Sequence, residues 1–252
     1  MIEALRSRDH KLTVIDPGRA FYMLGDDRWL AEFDIVVGRG RSTALLCLLE
    51  WAEQFGLTTI NRQAAITSVF NKSHMSVLFA EGGVATPTTF FGSIDYLARQ
   101  IASEYYPVIL KPIFGDNSRG LLVVNTPEEL ASTTWSDPVA LAQQYLPNDG
   151  FDLKLYCIGR EVWAVRKPSP FNKLKQPAEA KAELIPLTPE LEELGRRCGE
   201  IFGLELHGID CIETERGPLV IEINDFPNYT GVPDADRRLA DYVIGRAGEV
   251  KR

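Results

Sequence analysis

Two short segments of the chain, G-I-D-C-I-E at 208–213 and V-I-E-I-N-D at 220–225, carry the side chains best suited to chemistry. Both read as strands, and period-two geometry puts Glu222 and Asn224 on one face with Ile221 and Ile223 on the other. Whether Asp210 joins them depends on the connection. A four-residue turn pairs Asp210 with Ile221, whereas a five-residue loop over 214–218 pairs it with Glu222. Gly217 can supply the left-handed position that an odd loop often needs, which favours the second register. In that register two carboxylates and one amide converge as hard oxygen ligands. They suit Mg²⁺, which keeps its other positions for water and phosphate oxygens. Three such groups inside apolar strands cost desolvation energy unless something pairs them. Asp210 and Glu222 on opposite faces would rule the metal site out.

A second constellation is V-I-L-K-P-I-F-G-D-N-S-R-G at 108–120. A lysine deep in a strand, Lys111, is costly unless an anion neutralises it. Gly115, Ser118 and Gly120 let backbone amides approach a phosphate. The spacing is not that of a Walker A loop. Arg39 and Arg41 directly precede a helix that starts at Ser42, where free amides and the helix dipole favour an anion. Together with Arg119, Lys173 and Lys175 they would form a basic pocket in an acidic protein. Such a pocket suits a di- or tricarboxylate or, equally, a sugar phosphate.

The elements that must position these residues alternate between strand and helix. The chain opens on a helix and continues into an expected strand at 11–16 that stops at Pro17. A strand around 33–40 leads to an amphipathic helix over 42–54. Next come a helix over 72–81, strand 86–90, helix 94–105, strand 108–113, the glycine loop and strand 121–125. A short helix with a capping box, Thr126-Pro127-Glu128-Glu129, precedes strand 139–146. The last third reads as strands 153–158 and 162–165, an irregular stretch at 169–179, and a helix over 189–202 stopped by Gly203. Strands 206–213 and 219–224 and a final helix around 235–245 complete the chain. An α/β unit usually opens on a strand, so the N-terminus reads as trimmed or atypical.

Composition narrows the class. With 252 residues, 45% apolar and 25% charged, the chain has the balance of a soluble globular protein large enough for two or three subdomains. A net charge of −8 argues against general nucleic-acid binding. No apolar run approaches the length of a bilayer span and no signal peptide opens the chain, so a cytoplasmic protein is expected. Cys47, Cys157, Cys198 and Cys211 form no C-x-x-C pair. The last three, like His207, read as core residues rather than as a zinc or disulfide framework.

Lys72 before a helix, Lys111 with its glycine flap, Q-Q-Y-L at 143–146, G-F-D-L-K at 150–154, G-I-D and E-I-N occur in the order found in the ATP-grasp superfamily, which the chain resembles from Asp34 onward. The resemblance implies a mixed α/β and α+β architecture, the ATP-grasp fold. An N-terminal α/β (pre-ATP-grasp) subdomain at 1–70 would lack its first strand. A central subdomain with the flap would span 71–146, and a C-terminal subdomain with the metal site 147–252. It further implies that Lys72, Lys111 and Ser118 contact ATP phosphates and that Gln144, Tyr145 and Leu146 hold adenine. Asp152 would lie near the ribose or brace the basic strand residues, while Asp210, Glu222 and Asn224 hold Mg²⁺ or, in its place, Mn²⁺. Arg166, with Lys154 and Lys167 in support, is expected to stabilise the transferred phosphoryl group.

Two branches of the superfamily resemble the chain. S-R-G in the flap, the G-x-D motif and I-N-R-Q-A-A-I are similar to ribosomal-protein glutamate ligases and lysine-biosynthesis ligases, which join a carboxylate to an amine. G-D-N-S, K-L-Y-C-I-G, R-K-P-S and I-N-D-F-P-N-Y-T-G-V are similar to inositol tris- and tetrakisphosphate kinases. The ligase pattern usually carries an asparagine and paired glycines in the acceptor loop; Asn172 is present, but Lys175-Gln176-Pro177 replaces the glycines. The kinase pattern has histidine at Arg119 and glycine at Asn228. The expected activity is an ATP- and Mg²⁺-dependent carboxylate–amine ligase, with Arg39, Arg41, Arg119, Asn172 and Lys175 on the substrate side. The alternatives are a small-molecule kinase and a nucleotide-binding protein without turnover. Partners are expected to be a small-molecule or peptide substrate, with no nucleic acid and no membrane, and ligases of this superfamily often form homo-oligomers.

Overall fold

A computed structural model describes residues 1–8, 10–115, 120–147, 149–169 and 181–250. Its strands form three sheets. The first is a parallel pair, β1 (Ile35–Val37) and β2 (Thr58–Ile60), joined by α2 (Thr43–Gln54), and α1 (Ile2–Arg6) precedes it. Ser42 caps α2 by accepting from the Leu45 amide. The expected strand at 11–16 does not form. Asp16 turns the chain by accepting from the Gly18 amide, and Val14 and Ile15 are left exposed without a neighbouring strand.

Two consecutive helices follow β2: α3 (Gln63–Phe70), which sequence patterning missed, and α4 (Lys72–Glu81). Asn71 starts α4, its side chain accepting from the amides of Ser73 and His74. The second sheet has the order β3-β6-β4-β5, from β3 (Thr89–Gly92), β4 (Val108–Lys111), β5 (Leu122–Val124) and β6 (Ala140–Gln144). Helices α5 (Ile94–Gln100) and α6 (Pro127–Ala131) share its core, in which Leu97, Val108, Leu110, Val124, Leu130 and Ala142 are buried. The capping box at α6 is shifted by one residue. Thr126 accepts from the Glu129 amide, but Glu129 reaches back to the Asn125 backbone and side chain.

The third sheet has the order β11-β10-β7-β8-β9, all antiparallel, from β7 (Phe151–Ile158), β8 (Glu161–Pro168), β9 (Glu183–Ile185), β10 (Leu206–Thr214) and β11 (Gly217–Asp225). One face buries Leu153, Leu155, Cys157, Ile209, Cys211, Val220 and Ile223 against α7 (Pro189–Phe202) and against Ala65, Val69, Met75 and Phe79 of α3 and α4. Packing therefore crosses the expected boundary at residue 70: α4 covers the C-terminal sheet, not the central one. Thr188 caps α7, and Gly203, at φ 66, ends it in the left-handed region. The C-terminal helix α8 (Ala235–Val250) lies over the other side, where Leu239, Ala240 and Val243 join Tyr156, Leu206 and Ile60.

Helix α7 approaches β10 closely at Gly199, where an added Cβ would collide with the ring of His207 and sit 3.1 Å from the Leu204 carbonyl. His207 cannot yield easily, because it is buried and its Nε2 is 3.0 Å from the Gly195 carbonyl. Gly199→Ala gains about 1 kcal/mol of helix propensity and loses about 1–3 kcal/mol to overpacking. A net loss of stability is expected, read as a lower urea midpoint at unchanged m-value.

Candidate functional site: a cleft between two sheets

Gly217, at φ 105, closes the β10–β11 hairpin through a two-residue turn, with Thr214 opposite Gly217. Continued regularly, that register would pair Asp210 with Ile221. A β-bulge between Asp210 and Cys211 shifts it by one residue and sets Asp210 opposite Glu222. The expected pairing is thus present, produced by a bulge rather than by a five-residue loop. The bulge also changes the expectation for Ile221, which lines the cleft while Val220 and Ile223 enter the core.

This face borders a cleft of about 640 Å³ between the central and C-terminal sheets. Into it the structure brings Lys72, Lys111, Gln144, Tyr145, Leu146, Asp152, Lys154, Lys167, Asp210, Glu222, Asn224 and Arg41. Lys72 is buried at the start of α4, and its Nζ donates to Glu222 Oε1 at 2.7 Å. Lys154, on β7 beside β10, pairs with Asp210 Oδ1. Asn224 Nδ2 donates to Asp210 Oδ2 at 3.4 Å, so the three oxygen-bearing side chains are neighbours. Lys111, 6% exposed, donates to Gln143 Oε1 at 2.6 Å, and Gln143 is held in turn by Thr89 at 3.0 Å.

Burial sets the electrostatics. It lowers the Lys111 ammonium to about 8, with the carboxylate of Glu222 opposing and Lys72 adding to the fall. Burial also raises the Asp210 carboxyl, and Lys154 offsets that only in part. For Glu222 burial works in the same direction, but Lys72, Lys111 and Arg41 outweigh it and hold the carboxyl below its ordinary value. Burial and the like charge of Lys154 lower Lys167. The three core cysteines are free and buried, and burial pushes the Cys198 thiol up to about 12.

Of the two N-terminal arginines, Arg41 lines the cleft, while Arg39 is exposed and contacts the lining residue Asn228. Arg41, with a side chain 7% exposed, bonds through Nε to Asp225 Oδ1 and through Nη2 to Asn224 Oδ1 at 3.4 Å. Arg39 bonds to Asn228 Oδ1 and stands 5.4 Å from the Phe226 ring centroid. Phe226 and Tyr229 occupy the left-handed region at φ 44 and 52, a turn held by the Tyr229 hydroxyl donating to the Cys157 carbonyl at 2.9 Å. Asn228 and Thr230 of this turn face the cleft.

Arg166 is placed differently from the expectation. It pairs across β7–β8 with Leu153, on the face opposite the cleft, where it stacks 4.4 Å from the Phe151 centroid and pairs with Asp149. Lys167, opposite Asp152, takes the cleft face. Arg166→Ala is therefore expected to change kcat less than about fivefold, against the hundredfold or more typical of a lost transition-state donor, when initial rates are compared at saturating ATP. Ser118, Arg119, Asn172, Lys173 and Lys175 lie outside the described residues, as do the positions of the expected irregular stretch at 170–179. Gln143, Thr89, Asp225, Asn228 and Thr230 were given no site role, although all but Thr89 lie in the quoted motifs. For Gln143 and Asp225 the available signal was a polar residue at the end of an apolar strand.

Among the described residues no three His, Cys, Asp or Glu side chains cluster as a metal site. The donor set is two carboxylates and an amide, which fits a hard divalent cation completed by phosphate and water oxygens. With a sheet on each side of the cleft, Lys111 on the central sheet and Lys72 and Lys154 bonded to the carboxylates of the C-terminal sheet, the arrangement suits nucleotide phosphate. Residues 70–243 match the RimK-like ATP-grasp domain, and the chain belongs to that family. It is 26% identical over 265 residues to a probable alpha-L-glutamate ligase of Aliivibrio fischeri, covering 93% of this chain and 85% of that protein. A probable alpha-L-glutamate ligase of Methanococcoides burtonii is 25% identical over 281 residues, covering 100% and 93%. The fold is shared with the ATP-grasp ligase PsnB complexed with a minimal precursor (TM-score 0.76, 21% identity, 97% and 92% covered). It is shared also with the D-cycloserine synthetase DcsG (TM-score 0.72, 16% identity, 98% and 93% covered).

Proposed function

We propose that the protein is an ATP- and Mg²⁺-dependent ligase that joins a carboxylate to an amine of an amino acid or peptide, releasing ADP and phosphate. The observation that carries this reading is the Asp210–Glu222 pair with Asn224, with Lys72 bonded to Glu222 and Lys111 of the central sheet lining the same cleft. The family and its glutamate-ligase relatives support carboxylate activation over the kinase alternative.

In this mechanism Lys111 and Lys72 bind the ATP phosphates. Gln144, Tyr145 and Leu146, at the end of β6, border the adenine, and the Tyr145 amide is fixed by the Pro107 carbonyl at 2.8 Å. Asp152 borders the ribose. Magnesium, held by Asp210, Glu222 and Asn224, would neutralise charge on the phosphates. A substrate carboxylate oxygen attacks the γ-phosphorus, the bond to the ADP oxygen breaks, and an acyl phosphate forms. Lys154 and Lys167 stabilise charge on the transferred group. The amine then attacks the acyl carbon, phosphate leaves, and one proton is lost from the amine. Arg41, Asn228 and Thr230 line the part of the cleft where an acidic substrate would sit, with Arg39 bonded to Asn228. Mn²⁺ would serve the same oxygen donors. No helix among the described residues is long and apolar enough to cross a membrane, and we place the protein in the cytosol, where its thiols stay reduced.

The test is a screen with ATP and Mg²⁺ against pooled amino acids, dicarboxylates, peptides and inositol phosphates, following free phosphate and product mass together. Phosphate release with a product one water lighter than its joined substrates supports the ligase. A product heavier by one phosphoryl group, without free phosphate, makes the protein a kinase.

A further inference from the structure

Each side chain placed to hold a divalent ion is already engaged by a cation of the protein. Lys154 Nζ lies on Asp210 Oδ1, Lys72 Nζ is 2.7 Å from Glu222 Oε1, and Arg41 Nη2 is 3.4 Å from Asn224 Oδ1. These cations come from β7, from α4 and from the segment before α2, so three separate elements converge on the β10–β11 hairpin. Lys111 differs, because its partner at 2.6 Å is the neutral amide of Gln143. It can accept an arriving phosphate without giving up a carboxylate. Lys72 and Lys154 cannot: their side chains are 7% and 19% exposed, so an ion arriving alone must strip largely buried ammonium groups of their counter-charges. A polyphosphate supplies replacement acceptors for both.

We propose that Lys72 and Lys154 are place-holding cations. Each neutralises one metal-binding carboxylate until nucleotide phosphate takes the lysine over, so a divalent ion binds together with the nucleotide and not before it. The proposal rests on the ATP reading above and adds an order of events to it. Lys111, already facing a neutral partner, meets the phosphates first; Lys72 and Lys154 then exchange carboxylate for phosphate, and their release exposes the oxygen donors.

Mn²⁺, whose free-ion EPR signal disappears on binding, tests this on the full chain with and without saturating ADP. Once the Mn²⁺ that ADP holds by itself is subtracted with a protein-free control, binding to the protein about a hundredfold or more tighter with ADP than without is expected, since the nucleotide offers the lysines new partners. Lys154→Gln and Lys72→Met should each tighten nucleotide-free Mn²⁺ binding about tenfold or more, because each leaves a carboxylate uncompensated. Adding Asp210→Asn to Lys154→Gln should cancel that gain. Wild-type protein that binds Mn²⁺ equally well with and without ADP overturns the proposal, and this arm needs no variant to fold. Folded lysine variants no tighter than wild type overturn it as well. Mn²⁺ binding in neither condition overturns the ATP reading itself and the place-holding role with it.

Discussion

Glu222→Gln is expected to lower kcat by about a hundredfold or more and, because the largely buried Lys72 ammonium loses its counter-charge, to lower the melting temperature as well. Glutamine keeps the size of the side chain and an oxygen that can still accept from Lys72 Nζ, the 2.7 Å partner of Glu222. What is lost is the negative charge that, beside Asp210 and Asn224, would hold the divalent ion against the phosphates. The carboxyl is held below its ordinary value because Lys72, Lys111 and Arg41 together outweigh its burial, so the group is charged throughout the neutral range. Rates measured beside a thermal melt separate the two roles. A fall of less than about threefold would remove Glu222 from the reaction, since a functional ligand contributes far more.

Lys111→Met is expected to lower kcat/KM for ATP by about a hundredfold, because it removes a buried cation aimed at the phosphates. The wild-type pH profile makes the same point. Burial brings Lys111 to about 8, so kcat/KM for ATP should be level below that pH and fall about tenfold per unit above it. Bound phosphate restores the charged form, so kcat itself should lack this limb. Stability runs the other way. Between about 8 and 10.5 the unfolded chain binds a proton at this lysine that the folded chain does not, so stability rises with pH across that window. The methionine variant should lose both dependences and, freed of a desolvated charge, melt no lower than wild type. A wild-type kcat/KM that stays level to pH 10 would contradict the role given to Lys111.

The site was legible in the sequence wherever strand parity and chemistry pointed the same way. Lys111, Asp210, Glu222 and Asn224 stood out as polar groups in apolar strands, Lys72 was singled out only by the resemblance, and all five line one cleft. The Asp210–Glu222 pairing came from the right register for the wrong cause. A two-residue turn was read as a five-residue loop, because a bulge leaves no sequence signature as strong as a turn residue. Arg166 shows the opposite failure, since the information was present. A two-residue turn at Gly159-Arg160 sets Ile158 opposite Glu161, and counting along the hairpin sets Leu153 opposite Arg166 and Asp152 opposite Lys167. Leu153 is a core residue, so Arg166 had to face away from Lys154.

Other features could not be read locally. Residues 11–16 alternate like a strand but have no neighbour to pair with, and β2 and β9 are three residues each, too short for periodicity to register. The burial of Arg41 against Asp225 depends on bringing residues 184 positions apart into contact, which no window of sequence reports.

The most direct test of carboxylate activation follows oxygen through the reaction. Once the screen has found an acyl donor, that donor is prepared with ¹⁸O in its carboxylate, and the phosphate released with ATP, Mg²⁺ and the amine is analysed by mass. Attack of the carboxylate on the γ-phosphorus, followed by cleavage at the acyl carbon, predicts one ¹⁸O in each phosphate released. Phosphate free of ¹⁸O beside a joined product, or a phosphorylated product with no phosphate released, would contradict passage through an acyl phosphate.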